Sequence, residues 1–141
     1  MSIVVGYVPT PAGEAAVRAA ITEARLRDED LLIVNSAREG SVVETTVATT
    51  EDLSRVLTQA DDAGVRAEVV RGTHRDDFTD EILDLAEKHD ASLIVIGLRR
   101  RSTVGKFIMG SVAQRILLQA DHPVLAVKPS TLDVGEAPTP R

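Results

Sequence analysis

Leu93-Ile94-Val95-Ile96-Gly97, four aliphatic residues closed by a glycine, is the stretch on which the fold turns. No polar residue interrupts it, so it reads as a strand buried on both faces rather than on one. A polar, basic connection follows from Leu98 to Met109. Ser111 to Ala120 then reads as a helix, with Val112, Ile116 and Leu117 turned inward. Pro123 to Val127 is a second apolar strand, and its opening proline suits a sheet edge. Strand, helix and strand in this order form a parallel crossover unit.

The same alternation runs back to the start of the chain. Ser2 to Val8 is a continuously apolar strand, which Pro9-Thr10-Pro11 breaks. Ala12 to about Arg27 is a helix, with Ala16, Ala20 and Ala24 in one row beside Val17 and Ile21. Leu31 to Val34 is the next strand, and Arg38 to Ala48 is expected to be a loop. Thr50 to about Ala63 is a helix with Thr50 as its N-cap, Leu53, Val56, Leu57 and Ala60 as its inner stripe, and Gly64 at the C-terminal cap. Arg66 to Arg71 is a strand. Asp76 to His89 is a helix with Phe78, Ile82, Leu85 and Ala86 inward. Asp76, Asp77, Asp80 and Glu81 gather at its start, where the helix dipole favours acids. This pattern specifies an α/β fold, a doubly wound parallel sheet with helices on both faces. One domain over residues 1–129 and a disordered tail over 130–141 are expected from length and composition.

Composition removes several classes of function. The chain has no cysteine, so disulfides, thiolate metal sites and thiol nucleophiles are excluded. Aromatic residues are 2% of the chain, too few for the stacking platforms that hold single-stranded nucleic acid. A net charge of -6 disfavours nucleic acid and anionic membranes as partners. Without a basic leader or a long apolar run, a cytoplasmic location is the expectation. His74, His89 and His122 lack metal-ligand spacing, and Ser102 and Ser111 lack evident His–Asp partners, so no catalytic residue and no metal site are assigned.

Ligands of doubly wound sheets bind beyond the carboxyl ends of the strands, where strand order reverses. The loops after Val8, Val34, Arg71 and Ile96 lie there, and the last is the most informative. Gly97 and Gly110 bracket it, and Arg99, Arg100, Arg101 and Lys106 place four positive charges within eight residues. Ser111 is either an ordinary N-cap or a donor to an anion, beside the unpaired N–H groups of the first helical turn. A polyphosphate suits such a loop. It is not a P-loop, because Phe107 follows Gly105-Lys106 where a hydroxyl residue would be needed.

The segment resembles the universal stress proteins, whose nucleotide-binding branch carries Gly, two residues, Gly, nine residues, Gly and then Ser or Thr. Gly97, Arg100, Gly110 and Ser111 stand in that frame, with Arg100 in place of the second glycine. The helix containing Gln114-Arg115-Ile116-Leu117 and the strand His122-Pro123-Val124-Leu125-Ala126-Val127 are also similar to the family. The likeness runs over about residues 2 to 128. It implies a Rossmann-like, adenine nucleotide alpha hydrolase-like fold with five parallel strands in the order 3-2-1-4-5 and four flanking helices. It also implies an ATP site, with Mg²⁺ carried by the nucleotide. The phosphates would lie on Gly97, Leu98, Arg99, Arg100, Gly110, Ser111 and Val112, and the nucleoside near Val8, Pro9, Thr10 and Val34. Family members that bind ATP usually end the first strand with an acid, and Val8 stands at that position here. A homodimer through strand 123–127 is the implied assembly.

Three readings of function follow. The first is a stress-response regulatory protein whose ATP-bound state is read by partners. The second is a homodimeric interaction module of the same fold that binds no nucleotide, which the missing acid favours. Weak ATP hydrolysis is a distant third.

Overall fold

The computed structural model describes residues 1–35, 49–70, 78–100, 107–108 and 110–129. Its elements are β1 (Ser2–Gly6), α1 (Pro11–Arg27), β2 (Asp30–Val34), α2 (Thr50–Asp62), β3 (Ala67–Val70), α3 (Phe78–Lys88), β4 (Leu93–Gly97), β5 (Arg99–Arg100), β6 (Phe107–Ile108), α4 (Ser111–Gln119) and β7 (Val124–Val127). Five strands form one parallel sheet in the order β3-β2-β1-β4-β7. Since β7 is the fifth main strand, this is the 3-2-1-4-5 order that the resemblance implied. The expected loop over 38–48 and the tail over 130–141 lie outside the described residues.

The aliphatic runs are continuous because both faces of the sheet are covered. Ile3, Val5, Leu31, Ile33, Leu93 and Val95 pack against α1 and α2. Their neighbours Val4, Leu32, Val34, Ile94 and Ile96 point the other way, against α3 and α4. Each fully buried Val, Leu or Ile side chain contributes roughly 1.5–3 kcal/mol of transfer free energy. On α1, Ala12, Ala15, Ala16, Ala20 and Ala24 are buried beside Val17 and Ile21, so the helix faces the sheet mostly with methyl groups.

The caps set the helix boundaries. Thr10 is the N-cap of α1: its Oγ1 accepts the Gly13 N–H at 3.1 Å, and a proline opens the first turn. The N-cap of α2 is Thr49, not Thr50. Counted from Thr49, Asp52 occupies the third helical position and closes a capping box, with both reciprocal bonds at 3.0 Å. Gly64 follows the α2 C-cap with φ +77°, a left-handed conformation that glycine adopts without strain.

Two features add to the expectations and one expectation changes. The connection after β4 contains a two-residue antiparallel ladder of β5 and β6, Arg99 opposite Ile108 and Arg100 opposite Phe107. Asp80 and Glu81 stand in the first turn of α3, and Glu81 is 1% exposed, on the inner side of the helix with Thr79 and Ile82. Leu117 is 38% exposed, because the inner stripe of α4 runs through Ala113 and Ile116 with Val112 beside it. Leu117 lies one step further round the helix, and Leu118 is 78% exposed.

Candidate functional site

Strand order reverses between β1 and β4, which are adjacent in the sheet although α1, β2, α2, β3 and α3 separate them in sequence. Their carboxyl ends form the floor of a crevice. The β1–α1 turn is wound tightly on one side of it. The Thr10 N–H donates to the Val8 carbonyl at 2.8 Å, and a Cβ on Gly13 would lie 1.8 Å from that same oxygen. From the other side Gly97 presses against the start of α1, so closely that a Cβ there would lie 2.3 Å from the Ala12 carbonyl oxygen. Gly97 therefore faces the start of α1 across the β1–β4 boundary, as the strand order requires.

The remaining candidate residues divide by what their polar groups already do. Val8 and Pro9 are half-buried in the turn. The Thr10 hydroxyl oxygen caps α1. Val34 is fully buried, and its carbonyl accepts the Tyr7 N–H at 3.0 Å. Asn35 is 2% exposed and donates from Nδ2 to the Tyr7 carbonyl at 3.4 Å, while its own N–H bonds the Val70 carbonyl. The Leu98 N–H bonds the Val127 carbonyl at 2.8 Å, so the chain stays tied to β7 as it leaves β4. Arg99 and Arg100 enter the site as β5 backbone, and their side chains lie outside the described residues, as do Arg101 and Lys106.

Gly110 is the N-cap of α4, with φ -69° and ψ 166°, and no side chain caps the helix there. Ser111 is thus the first helical residue and not the cap. The helix's first internal bond runs from the Gln114 N–H to the Gly110 carbonyl at 3.0 Å. The N–H groups of Ser111, Val112 and Ala113 therefore have no acceptor within α4 and form the donor set of a helix N-terminus. The Val112 side chain packs inward while its N–H stays in the first turn. Gly110 differs from Gly13 and Gly97 in one respect: a Cβ built on it meets nothing within 4 Å among the described residues. No described neighbour requires a glycine at that position.

Sequence reasoning missed a polar cluster directly under the β1–α1 turn. The Tyr7 hydroxyl donates to Glu14 Oε2 at 2.6 Å. Arg55 on α2 grips the same carboxylate with both terminal nitrogens, each at 2.8 Å. Burial pushes the Tyr7 phenol upward in pKa, and the adjacent Glu14 carboxylate pushes it further. Burial acts on Glu14 in the same sense, but the hydrogen bonds from Arg55 and Tyr7 outweigh it and hold the carboxyl below its usual range. One signal was available: a tyrosine in a continuously apolar strand must bury its hydroxyl, and a buried hydroxyl needs a partner. Arg55, 48 residues away, had no local signature. Among the described residues no group of three or more His, Cys, Asp or Glu side chains is placed to hold a metal ion, and no helix is long and apolar enough to cross a membrane.

The model of the universal stress protein family matches residues 1–128. A universal stress protein of Mycolicibacterium smegmatis is 44% identical over 127 residues, covering 90% of this chain and 97% of that protein. Among solved structures, a universal stress protein from Archaeoglobus fulgidus superposes with a TM-score of 0.77 at 35% identity, covering 91% of this chain and 98% of the other. A universal stress protein of the same organism in complex with dAMP gives a TM-score of 0.73 at 31% identity, with the same coverage.

Proposed function

This chain belongs to the universal stress protein family, and we propose that it is a regulatory protein that binds an adenine nucleotide, ATP foremost, in the crevice between the β1–α1 turn and the start of α4. Gly110 is the observation that carries the reading. Its backbone angles suit any residue, and no described residue fills the space beside it. A side chain that could cap the helix would stabilise it, yet the position holds a glycine and leaves the first-turn N–H groups available. A phosphate group uses those donors and needs that space. The dAMP complex of the Archaeoglobus fulgidus relative supports an adenine nucleotide as the ligand class.

In this reading the phosphates lie over Gly110, Ser111 and Val112, with the basic residues 99–101 and Lys106 along the loop, and the nucleoside lies toward Val8, Thr10 and Val34. Mg²⁺ enters with the triphosphate, since the reading assigns no protein ligand to it. The nucleotide acts as an effector: its bound state changes the surface offered to a partner. No residue is assigned a catalytic role, so any ATP turnover is incidental. The assembly in this proposal is a homodimer through β7. That strand pairs only with β4 in the main sheet, and Leu117 and Leu118 stand exposed on the helix leading into it.

A calorimetric titration with ATP in the presence of Mg²⁺ tests the reading, with one saturable site per chain as the expected result. A specific observation favours the alternative, a dimeric interaction module without nucleotide. At the end of β1 there is no carboxylate, and the Val8 carbonyl and the Thr10 hydroxyl oxygen already serve the turn and the cap. No heat from ATP, AMP or a cyclic nucleotide would decide for that alternative.

A further inference from the structure

We infer that Arg55 and Tyr7, acting through Glu14, are positioning residues that set the nucleoside side of the crevice; the inference rests on the nucleotide-binding reading above. The Glu14 carboxylate is the hub. It lies in the first turn of α1, where its own N–H closes a helical bond to the Thr10 carbonyl at 2.9 Å. Tyr7 reaches it from the end of β1 and Arg55 from α2, and Arg55 Nη2 also donates to the Tyr7 hydroxyl at 3.3 Å. Tyr7 is held through its backbone as well, by the Val34 carbonyl and the Asn35 amide. Arg55 extends the connection to Asp52 at 3.6 Å, and Asp52 is the partner of Thr49 in the α2 capping box.

Three elements thus meet on one carboxylate, and the residues between Tyr7 and Glu14 are the turn that carries Val8, Pro9 and Thr10. The arginine makes a two-pronged contact, which fixes direction as well as distance. Hydrogen bonds this short, meeting on one carboxylate, define where the turn stands relative to α2. The start of α4 lies outside the network: among the described residues, none of its hydrogen bonds or ion pairs reaches Gly110, Ser111 or Val112. Loss of Arg55 should therefore disturb the nucleoside side and leave the phosphate side intact.

The experiment titrates the full-length chain with MgATP and, separately, with magnesium tripolyphosphate, using the wild type, Arg55→Gln, Arg55→Lys and Tyr7→Phe, with thermal melts alongside. Arg55→Gln is expected to weaken ATP about tenfold, within the usual range of coupling between neighbouring elements, and to leave tripolyphosphate unchanged. Arg55→Lys should recover part of the loss, because lysine restores the charge without the fork. Should Arg55→Gln fail to fold, Tyr7→Phe, which keeps the ring and the Arg55–Glu14 pair, should show the same split at smaller size. Equal ATP affinity in wild type and variants, or equal losses for ATP and tripolyphosphate, overturns the inference and leaves the nucleotide reading standing. Absence of ATP binding to the wild type overturns that reading and this inference with it.

Discussion

Gly110→Asp should make the protein more stable and less able to bind nucleotide. Asp fits the geometry, since φ -69° and ψ 166° are ordinary extended angles and a Cβ meets no atom of the described residues within 4 Å. Three small terms favour the folded variant. An Asp cap is better than Gly by a few tenths of a kcal/mol. A negative charge at a helix N-terminus adds about 0.3–1 kcal/mol. Replacing glycine at compatible angles adds about 0.4–1 kcal/mol by narrowing the unfolded ensemble. The sum is about 1–2 kcal/mol, which for a chain of this size raises Tm by about 3–6 °C. Binding moves the other way, because the new carboxylate takes the first-turn N–H groups for itself and opposes the phosphate charge. Differential scanning calorimetry of the free proteins measures the first effect, and titration with MgATP the second. A lower Tm for the variant would refute the view that Gly110 is free of folding demands. Undiminished ATP affinity would refute its assignment to the phosphates.

Gly97→Ala and Gly13→Ala should behave oppositely. Each adds a methyl within 2.3 Å or 1.8 Å of a backbone oxygen that cannot step aside, so each should lose at least about 2 kcal/mol in a urea melt even where a helix favours alanine. Acid stability should depend on Glu14. Its folded pKa lies below the ordinary value of 4.5, so its stabilisation is present above about pH 4.5 and is lost as pH falls through the lower folded value. Glu14→Gln should therefore flatten the decline in Tm below that pH, and an unchanged profile would count against the cluster. Leu118→Glu at a 78% exposed position should leave the melting temperature within a degree or two and shift sedimentation toward monomer; a dimer of undiminished strength would remove the exposed α4 face from the proposed assembly.

The fold was readable wherever hydrophobic period and length agreed. β1, β2 and β4 are buried on both faces, and nothing but a covered parallel sheet accounts for such unbroken aliphatic runs. Boundaries were less legible. Thr49 and Thr50 are chemically alike, and what separates them is the distance to Asp52, which matters only once the chain is helical. Leu117 read as core because leucine usually is, but a nine-residue helix with Ala113 and Ile116 inward has no room for it on the same stripe. The crevice could be placed from strand order and glycine positions. What could not be read was the difference among the glycines. Gly97 and Gly13 are held by backbone oxygens from distant or folded segments, Gly110 by none of the described residues, and sequence shows all three alike. The Tyr7–Glu14–Arg55 cluster was illegible for a related reason: its members join three elements whose approach exists only after folding.

The placement of β1 has a kinetic consequence. It is the middle strand, bonded to β2 on one side and β4 on the other and covered on both faces, so its amides open only when the whole domain does. The far wall of the crevice belongs to weaker ground, a ladder two residues long and a helix of nine. A ligand spanning both walls fastens the part of the molecule that opens most readily to the part that opens last. Each tenfold excess of ligand over its dissociation constant adds about 1.4 kcal/mol against that opening. Under the proposed nucleotide-binding function, the lifetime of the chain against proteases would then follow the concentration of the nucleotide, and the amount of protein present would become a slow record of the ligand level around it.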